Sequence, residues 1–415
     1  MKLETAKGMR DIPPEEKILQ QEVVDKIRGI FERYGFSPLE TPVVERWDVL
    51  SSKYAGGSEI LKETFKFKDQ GKRELGLKYD LTVPFARFIG MNPNLKLPFK
   101  RYQIEKVFRD GPIKLGRYRE FWQCDVDIAG SSNILADAEI VNLIVDVFKE
   151  LGLKVIVKVN NRKLLNSILD YVGVKKEKWE DVIISIDKLE KIGAVGVKKE
   201  LEEKNVDASI VKKLVWILKL ESLGDIQKVI GDCEGIKELE ELFGYVGSKN
   251  VIFDACLARG LSYYTGTVFE AFLKDSNIDS SVAGGGRYDE MIGNFVGGSR
   301  KIAAVGVSFG LSVIMKALDK KESRSVAKVY VVPIGKIKAG LKIVKELRDA
   351  GVNADIDLIG RGVSKNLNYV NSFGIPYVAF VGEKEIKAGK IKLRDMKTGK
   401  ERMINVKSIV RIVSS

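Results

Sequence analysis

The stretch VFRDGPIKLGRYREFWQCDVDIAG, residues 107–130, decides the fold. Two runs in which apolar and polar residues alternate flank a segment rich in Gly, Pro, Lys and Arg. This pattern predicts two antiparallel strands joined by a cationic loop. Arg109 ends the first strand, and a guanidinium beside a glycine-containing loop suits the binding of phosphate groups. A surface hairpin with an ordinary salt bridge explains the same residues equally well.

The sequence on both sides of the hairpin extends the same sheet. Short strand-like runs occupy residues 65–108, and sheet-like sequence with many glycines returns at 251–310. Amphipathic helices are predicted over residues 13–35 and 137–151, where apolar residues recur every three or four positions.

An extended segment at residues 37–44 contains Pro42. Proline cannot donate a hydrogen bond to a neighbouring strand. We therefore expect this segment at the edge of a sheet or at an interface between subunits.

Two regions differ in composition from the sheet-forming sequence. Residues 161–249 are rich in Lys and Glu and mostly helical, as expected of a helical insertion. Residues 327–415 follow a charged linker. Strands and helices alternate in them, which predicts a small α/β domain with a mixed sheet. We predict an α+β protein in which helices flank an antiparallel sheet. Its expected parts are a sheet domain at 1–160 and 250–318, the helical insertion at 161–249, the linker at 319–326 and the α/β domain at 327–415.

The chain of 415 residues contains no histidine. Histidine titrates near neutral pH and is the usual general base and metal ligand. Its absence excludes a Ser-His-Asp or Cys-His site and any zinc held by histidine. An enzyme of this sequence must act by placing charges and orienting its reactants.

The charge balance is basic. The chain has 70 Lys and Arg against 57 Asp and Glu, and a formal net charge of +13. This excess favours a polyanionic partner. A surface that is simply rich in lysine accounts for the same balance.

Cysteine usage and the lack of long apolar runs indicate the cellular compartment of the protein. Cys124, Cys233 and Cys256 are few, odd in number and widely spaced, which is typical of a reducing cytoplasm and of small buried thiols. Charges within residues 1–16 occupy the place where a signal peptide needs an apolar stretch. Without a run of 18 apolar residues, we expect a cytoplasmic protein with no membrane span.

The second strand of the hairpin carries polar side chains at alternate positions. Gln123, Asp125 and Asp127 share one face of this strand. Since Trp, Val and Ile surround them in sequence, this face is either solvated or part of a polar pocket.

A second informative stretch, LARGLSYYTGTVFEA, covers residues 257–271. Arg259, Tyr263 and Tyr264 supply a cation and two phenols beside a glycine, as in the wall of a small-ligand pocket. Aromatic core packing is the alternative. The nearby GGGRYDEM, residues 284–291, lacks the lysine of a phosphate-binding loop, so its glycines more plausibly let backbone approach a ligand or a strand.

Taken together, three motifs resemble those of histidyl-tRNA synthetases, which are class II aminoacyl-tRNA synthetases. They are GRYREFWQ (116–123) with Arg109, RGLSYYTG (259–266) and GGGRYD (284–289). The resemblance covers essentially the whole chain, including LKYDLTVPFAR (77–87), the helical insertion and a C-terminal anticodon-binding α/β domain. It implies ATP-dependent attachment of L-histidine to tRNA(His) through a histidyl-adenylate, with release of AMP and diphosphate. It also implies a homodimer.

The resemblance assigns roles to individual residues. Arg109 and Arg259 are the implied catalytic residues, which approach the ATP α-phosphate and the histidine carboxylate from two sides; Arg117 is a further implied ATP contact. The implied histidine-binding residues are Asp80, Thr82 and Gln123 at the α-amino group, Asp127 and Tyr264 at the imidazole, Tyr263 beside them, and Tyr288 with glycines 284–286 at the floor. Mg²⁺ is expected with ATP, and no side chain is expected with confidence to hold a metal ion.

Two positions depart from the family pattern. Val313 stands where family members commonly carry an arginine that meets ATP, and Trp122 replaces a histidine or tyrosine. Two alternatives therefore stay open. One is a paralogue that regulates ATP phosphoribosyltransferase, although such paralogues lack the C-terminal domain. The other is an RNA-binding or amino-acid-sensing protein without catalysis.

Contacts with tRNA are expected at two places. The loop 110–119 would meet the acceptor end, and Arg361 and Lys365 are candidates for the anticodon side. Ordinary solvated charges explain the latter pair as well.

Overall fold

The computed structural model describes residues 2–52, 61–113, 118–260, 263–295, 301–318 and 324–414. The chain divides into two compact units. The first contains Met1–Arg10 and Val23–Leu318, and the second contains Asp11–Glu22 and Asp319–Ser415. The domain boundaries drawn from the sequence stay predictions. Within the described ranges no helix is both long and apolar enough to cross a membrane.

An eight-stranded sheet organises the first unit. Its strands are β1 (Ser37–Pro38), β5 (Phe99–Phe108), β6 (Glu120–Ala129), β7 (Val155–Asn161), β8 (Val251–Phe253), β9 (Thr267–Leu273), β10 (Ala283–Arg287) and β11 (Ala304–Gly310). Their order across the sheet is β1-β5-β6-β11-β10-β9-β7-β8. Neighbours are antiparallel except at the two ends, where β1 runs parallel to β5 and β8 parallel to β7. The predicted antiparallel sheet flanked by helices is confirmed.

The two faces of this sheet differ because successive side chains point to opposite sides of a strand. On one face, Phe309 of β11 packs against two helices, with ring centroids 5.7 Å from Phe31 and 5.8 Å from Phe148. Cys124 of β6 pairs with Phe309 and is buried on the same face. Polar residues one position along the strand, such as Asp125, point to the other face, which holds a cavity.

The helix Ile134–Leu151 covers the apolar face of the sheet. The Asn133 side chain accepts a hydrogen bond from the Leu135 amide at 2.8 Å, and Gly152 ends the helix in a left-handed conformation. The helix begins three residues before the predicted Asp137 because Asn133 satisfies its first amides.

A separate three-stranded sheet contains two of the runs that the sequence placed in the large sheet. β2 (Val44–Arg46), β4 (Glu74–Leu77) and β3 (Lys66–Lys68) lie in that order and are antiparallel. The expectation of one sheet over residues 65–128 was therefore wrong. Alternation identifies a strand but not its partner.

The segment around Pro42 is also divided. Pro42 lies between β1 and β2 and belongs to neither strand. The expectation of one extended strand was wrong, although β1 does lie at the edge of the large sheet.

A change from strand to helix brings Asp80 and Thr82 to the cavity. β4 ends at Leu77, and the helix Thr82–Met91 begins five residues later. Asp80 Oδ1 accepts a hydrogen bond from the Val83 amide at 3.0 Å. An aspartate that receives a free amide in this way favours the start of a helix. The strand therefore ends at Leu77, and residues 78–82 of the strand-like run are not part of it.

The helical insertion follows β7. Its helices are Arg162–Val172, Trp179–Ile186, Leu189–Glu203, Ala208–Leu218, Leu223–Ile230 and Glu234–Tyr245, with a 3₁₀ turn at Lys176–Lys178. In the helix Ala208–Leu218, Leu214, Ile217 and Leu218 are buried, while Ile210 is half-buried.

The second unit contains a five-stranded mixed sheet. Its strands, in spatial order, are β13 (Ala354–Ile356), β12 (Val329–Pro333), β14 (Tyr377–Val381), β15 (Ile391–Asp395) and β16 (Glu401–Ile404). The first three are parallel and the last two extend the sheet as an antiparallel hairpin. The helices are Ile337–Asp349, Val363–Phe373, Glu383–Lys387 and Val406–Ser414. The predicted C-terminal α/β domain with a mixed sheet is confirmed.

The remaining described helices, which belong largely to the first unit, are Pro14–Arg33, Trp47–Leu50, Met291–Phe295 and Leu311–Ala317.

A buried ion pair joins β10 to the helix Ile134–Leu151. Arg287 Nε lies 3.2 Å from Asp137 Oδ1, Arg287 Nη1 donates to the Ser131 carbonyl at 2.9 Å, and both side chains of the pair are almost fully buried. Replacing Asp137 removes the buried carboxylate from Arg287, whose remaining carboxylate partner, Asp289 at 3.1 Å, is 31% exposed. We expect Asp137→Ala to lower the free energy of unfolding by about 3–5 kcal/mol, measured by urea denaturation.

The matched control is an exposed ion pair of the same unit. Lys228 and Asp225 lie 2.8 Å apart with 79% and 50% of their side chains exposed. Lys228→Ala should cost less than about 1 kcal/mol. If both substitutions lowered the free energy of unfolding equally, burial would not be what determines the contribution of the Arg287–Asp137 pair to stability.

Candidate active site

A cavity of about 340 Å³ opens on the polar face of the large sheet. The structure brings together at its wall all the predicted site residues that it describes, namely Asp80, Thr82, Arg109, Gln123, Asp127, Arg259, Tyr263, Tyr264 and Tyr288. Arg117 lies outside the described residues. The individual roles of these residues stay predictions.

Asp127 is the centre of the charge network below the cavity. Its Oδ2 lies 2.7 Å from Arg101 Nη2, and the Tyr288 hydroxyl donates to its Oδ1. Arg101 also donates to the Leu81 carbonyl at 2.9 Å and is completely buried. Burial raises the pKa of Asp127, while the Arg101 charge and the Tyr288 hydrogen bond oppose this rise. The carboxylate is thus held in one orientation toward the cavity.

Glycines form the wall beside this carboxylate. A Cβ added at Gly306 would overlap Asp127 Oδ1, and one added at Gly284 would overlap the Arg259 guanidinium. At Gly285 an added Cβ would collide with the Gly306 carbonyl of the neighbouring strand. The predicted close approach of backbone at the GGGRYD glycines therefore occurs, both between strands and against pocket side chains.

Arg259 faces the cavity from the loop before β9. Its backbone φ is 47°, a left-handed conformation that is uncommon for a side-chain-bearing residue. Nη1 donates to the Phe269 carbonyl at 3.2 Å and lies 3.5 Å from Glu270, and the guanidinium lies 5.3 Å from the Tyr264 ring centroid. These contacts hold a cation at a strained backbone position, which is typical of functional sites.

Arg109 lies at the other side of the cavity, at the end of β5. Its Nε donates to the Tyr79 carbonyl at 3.1 Å, and its guanidinium lies 5.2 Å from the Phe121 ring centroid. A second cavity of about 180 Å³ adjoins Arg109. The further residues that line it are Gly111, Pro112, Tyr118, Phe121, Trp122, Gly310, Ser312 and Val313. Arg109 is thus shared by a polar cavity and an apolar, aromatic one.

The three tyrosines pack as a group. Ring centroids are 4.6 Å apart for Tyr263 and Tyr264, and 6.1 Å apart for Tyr263 and Tyr288. Burial raises the pKa of all three hydroxyls above the ordinary value. They are neutral at physiological pH; the single hydroxyl proton of Tyr288 is donated to Asp127, and the hydroxyls of Tyr263 and Tyr264 are hydrogen-bonded to each other. The tyrosines pack against one another and also line the cavity. Both interpretations made from the sequence, core packing and a pocket wall, therefore apply to them.

Two carboxyls of the cavity titrate close to neutral pH. Burial raises the pKa of Asp80 to about 6, against the hydrogen bond from the Val83 amide. Burial also raises the pKa of Asp125 to about 7, against the charge of Arg101. Since the chain has no histidine, buried aspartates supply the pH-sensitive groups of this site.

Several site residues were not singled out from the sequence. Arg101 gave no signal because its pairing with Asp127 depends on the register between β5 and β6. Ser308 and Gly306 lie on β11, whose position beside β6 is a long-range contact. Glu63 also lines the cavity, and no local pattern pointed to it. Asp125 was placed on the correct face of its strand without a role.

The arrangement can bind a zwitterion or an anion between two arginines, and a cation at its carboxyls. Among the described residues, no group of three or more Cys, Asp or Glu side chains could hold a metal ion. With no imidazole in the chain, chemistry at this site depends on charge placement.

The residues expected to contact tRNA belong to two separate parts of the sequence. Arg361, in the second unit, lies 3.4 Å from Asp357 and stacks 4.4 Å from the Tyr369 ring centroid, while Lys365 is exposed. In the loop 110–119, residues 114–117 lie outside the described residues, and Arg119 pairs with Asp110 at 2.7 Å. These assignments stay predictions.

Comparison with known proteins gives the family. The model of the histidyl-tRNA synthetase family matches residues 8–314, and that of the anticodon binding domain matches residues 328–415. A histidine–tRNA ligase 1 of Bacillus cereus is 45% identical over 99% of both chains. A crystal structure of histidyl-tRNA synthetase from Nostoc sp. PCC 7120 superposes with a TM-score of 0.89 and 30% identity, and covers 100% of this chain and 99% of that one.

A further solved structure shares the fold alone. An ATP phosphoribosyltransferase regulatory subunit/histidyl-tRNA synthetase from Bacillus halodurans superposes with a TM-score of 0.77 at 21% identity, and covers 92% of this chain and 99% of that one. The full-length match to the Bacillus cereus ligase at 45% identity is much stronger. On the family models, the relatives and the sheet that carries the cavity, this chain belongs to the histidyl-tRNA synthetase family.

Proposed function

We propose that the chain is a histidine–tRNA ligase, which joins L-histidine to ATP and then transfers the histidyl group to tRNA(His). The observation that carries this proposal is the convergence of Arg109, Arg259 and several carboxyls on one cavity of a family member. The products are histidyl-tRNA, AMP and diphosphate.

In the first step, the histidine carboxylate attacks the α-phosphorus of ATP, the bond to the β-phosphate oxygen breaks, and histidyl-adenylate forms as diphosphate leaves. This nucleophile is ionised at neutral pH, so no general base is required. The barrier arises from bringing two anions together and from charge at the phosphorus. Arg109 and Arg259 line the cavity and would neutralise that charge from two sides. An enzyme without histidine is therefore fully equipped for this reaction.

The substrate amino acid is selected by the polar groups of the cavity. Asp127 is held by Arg101 and Tyr288, and would accept the ring N–H of the substrate, with Tyr264 nearby. Asp80, Thr82 and Gln123 would bind the α-amino group. An analogue without a matching ring leaves these buried groups unpaired, and such sites reject analogues by roughly 10⁴ or more.

The second cavity is proposed to hold the adenine ring of ATP. Its aromatic and apolar lining suits a planar base, and Arg109 connects it to the polar cavity. Val313 lines it where family members commonly carry an arginine. Arg10, which lies 4.9 Å from the Tyr118 ring centroid, is a candidate to replace that cation. Mg²⁺ is proposed to arrive bound to the ATP phosphates as part of the substrate.

In the second step, the terminal ribose hydroxyl of tRNA attacks the adenylate. We propose that a nonbridging phosphate oxygen of the adenylate takes the hydroxyl proton, since the chain has no imidazole to do so. The anticodon-binding domain at 328–415 supports the tRNA partner. A homodimer and a cytoplasmic location are also proposed. The exposed Val43 and Val44 beside Pro42 favour the former, and the cysteine usage favours the latter.

The alternatives are a regulator of ATP phosphoribosyltransferase and a binding protein without catalysis. The 45% identity over 99% of both chains to a histidine–tRNA ligase, together with the anticodon-binding domain, argues against the first. The two arginines at the cavity argue against the second.

Pyrophosphate exchange separates these functions. We expect the purified chain to exchange labelled pyrophosphate into ATP only when L-histidine and Mg²⁺ are present, and to charge tRNA(His). A regulator or sensor would bind histidine without exchange. The absence of histidine-dependent exchange would contradict the ligase assignment.

Gly306→Ala tests the geometry of the imidazole site. The new methyl group would displace the Asp127 carboxylate, and a misplaced binding group commonly reduces the rate about 100-fold. We expect a loss of this size in kcat/KM for histidine in the exchange assay. Gly244→Ala, at a position with no atom near the new methyl group, should leave exchange unchanged. Equal activities of the two variants would show that Asp127 does not bind the substrate ring.

Sulfur substitution tests the proton route of the second step. Replacing a nonbridging oxygen of the α-phosphate by sulfur yields an adenylate with a weaker base at that position. We expect slower single-turnover transfer to tRNA with one of the two diastereomers. Unchanged transfer with both would exclude the phosphate oxygen as the proton acceptor.

A further inference from the structure

Asp125 lies in the cavity wall between two residues that have proposed roles. On an antiparallel strand, alternate residues point to one face at intervals of about 6.8 Å. Gln123 is assigned to the amino end of the substrate and Asp127 to its ring. Asp125 stands between them, lines the same cavity and is only 2% exposed.

Two buried oxygens here lack a partner. Within the part of the chain that the structure describes, neither Asp125 Oδ1 nor Gln123 Oε1 accepts a hydrogen bond. Gln123 is 9% exposed, so neither group is freely solvated. Native proteins rarely leave buried acceptors unsatisfied, and in a cavity wall such acceptors point to a ligand that donates.

Ser308 fixes the orientation of both acceptors. It lies opposite Asp125 in the register of β11 with β6. Gln123 Nε2 donates to Ser308 Oγ at 2.7 Å, and the Ser308 hydroxyl donates to the Asp125 carboxyl. Because the amide nitrogen of Gln123 is engaged by Ser308, its carbonyl oxygen remains available to a donor.

The charges around Asp125 favour a cation. On β5, Arg101 acts on Asp125 but is already paired with Asp127, and the residue directly opposite, Gln103, is neutral. On β6 and in the turn before the helix Thr82–Met91, Asp127 and Asp80 add negative charge. From β11, the described part of the chain contributes Ser308 and no charge. The other charged or titratable groups of this cavity are Glu63, Arg109, Arg259, Tyr263, Tyr264 and Tyr288.

We propose that Asp125 binds the α-ammonium group of the amino-acid substrate, together with Gln123 and Asp80. This inference rests on the proposed function. A primary ammonium has three N–H donors and no acceptor, so Asp125 Oδ1 and Gln123 Oε1 can accept two of them and leave the third to Asp80 or Thr82. Asp125 thereby selects an amino acid over an analogue with a hydroxyl in place of the ammonium.

Proton release accompanies this contact. Burial raises the pKa of Asp125 to about 7 in the free protein, so part of the population is protonated at neutral pH. A bound ammonium favours the carboxylate, and the proton leaves. The affinity for histidine therefore decreases as the pH falls from 8 to 6. Asp80, whose pKa is about 6, contributes to the lower part of this range.

Asp125→Asn tests the contact in the full-length protein. The probes are L-histidine, L-histidinol, which keeps the ammonium, and β-imidazole-L-lactate, which has a hydroxyl in its place. Calorimetric titration should show about 10- to 100-fold weaker binding of the two ammonium ligands. The affinity for imidazolelactate should change less than about threefold. In pyrophosphate exchange, KM for histidine should rise while KM for ATP stays constant.

Asp127→Asn is the matched control on the same strand. It makes the same chemical change at the ring end, so it should weaken all three imidazole ligands. An Asp125→Asn variant that binds histidine as the unmodified protein does, or that loses imidazolelactate equally, would overturn the proposal.

The unmodified protein provides a second measurement, which needs no variant to fold. Histidine titrated at pH 7 in two buffers with different ionisation enthalpies should release a fraction of a proton, and imidazolelactate should release less. Equal proton release by both ligands would refute the ammonium contact. Failure of the unmodified protein to bind histidine at all would instead refute the proposed function.

Discussion

The buried ion pair between Arg101 and Asp127 is the interaction on which the rest of the pocket depends. These residues face each other across β5 and β6 in the antiparallel register, 2.7 Å apart at their charged ends. Removing water from two charges is costly unless they pair and find further hydrogen bonds. Leu81 and Tyr288 provide those bonds, which ties the turn before the helix Thr82–Met91 and the end of β10 to one place.

The two arginines proposed to act in catalysis lie around this buried centre rather than within it. Arg109 is held by the Tyr79 carbonyl and Arg259 by the Phe269 carbonyl, so each guanidinium keeps donors for a ligand. A reaction that begins from an ionised carboxylate needs such donors more than it needs a base. The absence of histidine and the positions of the two arginines thus support the same mechanism, in which charge placement and not a general base promotes the reaction.

The fold class and most of the pocket followed from local patterns, because alternation, helix periodicity and the family motifs are short-range signals. Sheet membership did not, since β3 and β4 alternate like β5 but form a separate sheet with β2. Arg101 could not be identified because its partner is set by the strand register across a loop. Asp125 was assigned to the correct face, but only the unpartnered oxygens in three dimensions indicate its role. Pro42 lies between two short strands and belongs to neither.

The glycines of β10 and β11 have a consequence for how this pocket can evolve. Gly284, Gly285 and Gly306 present main chain where other strands present side chains, and each has a neighbour that an added methyl group would strike. Mutation at these positions can only add atoms, so single substitutions can shrink the cavity but cannot enlarge it. The glycine wall therefore gives no route to a larger substrate, and the cavity can be enlarged only by shortening the side chains that line the rest of it, such as Tyr263, Tyr264 and Tyr288.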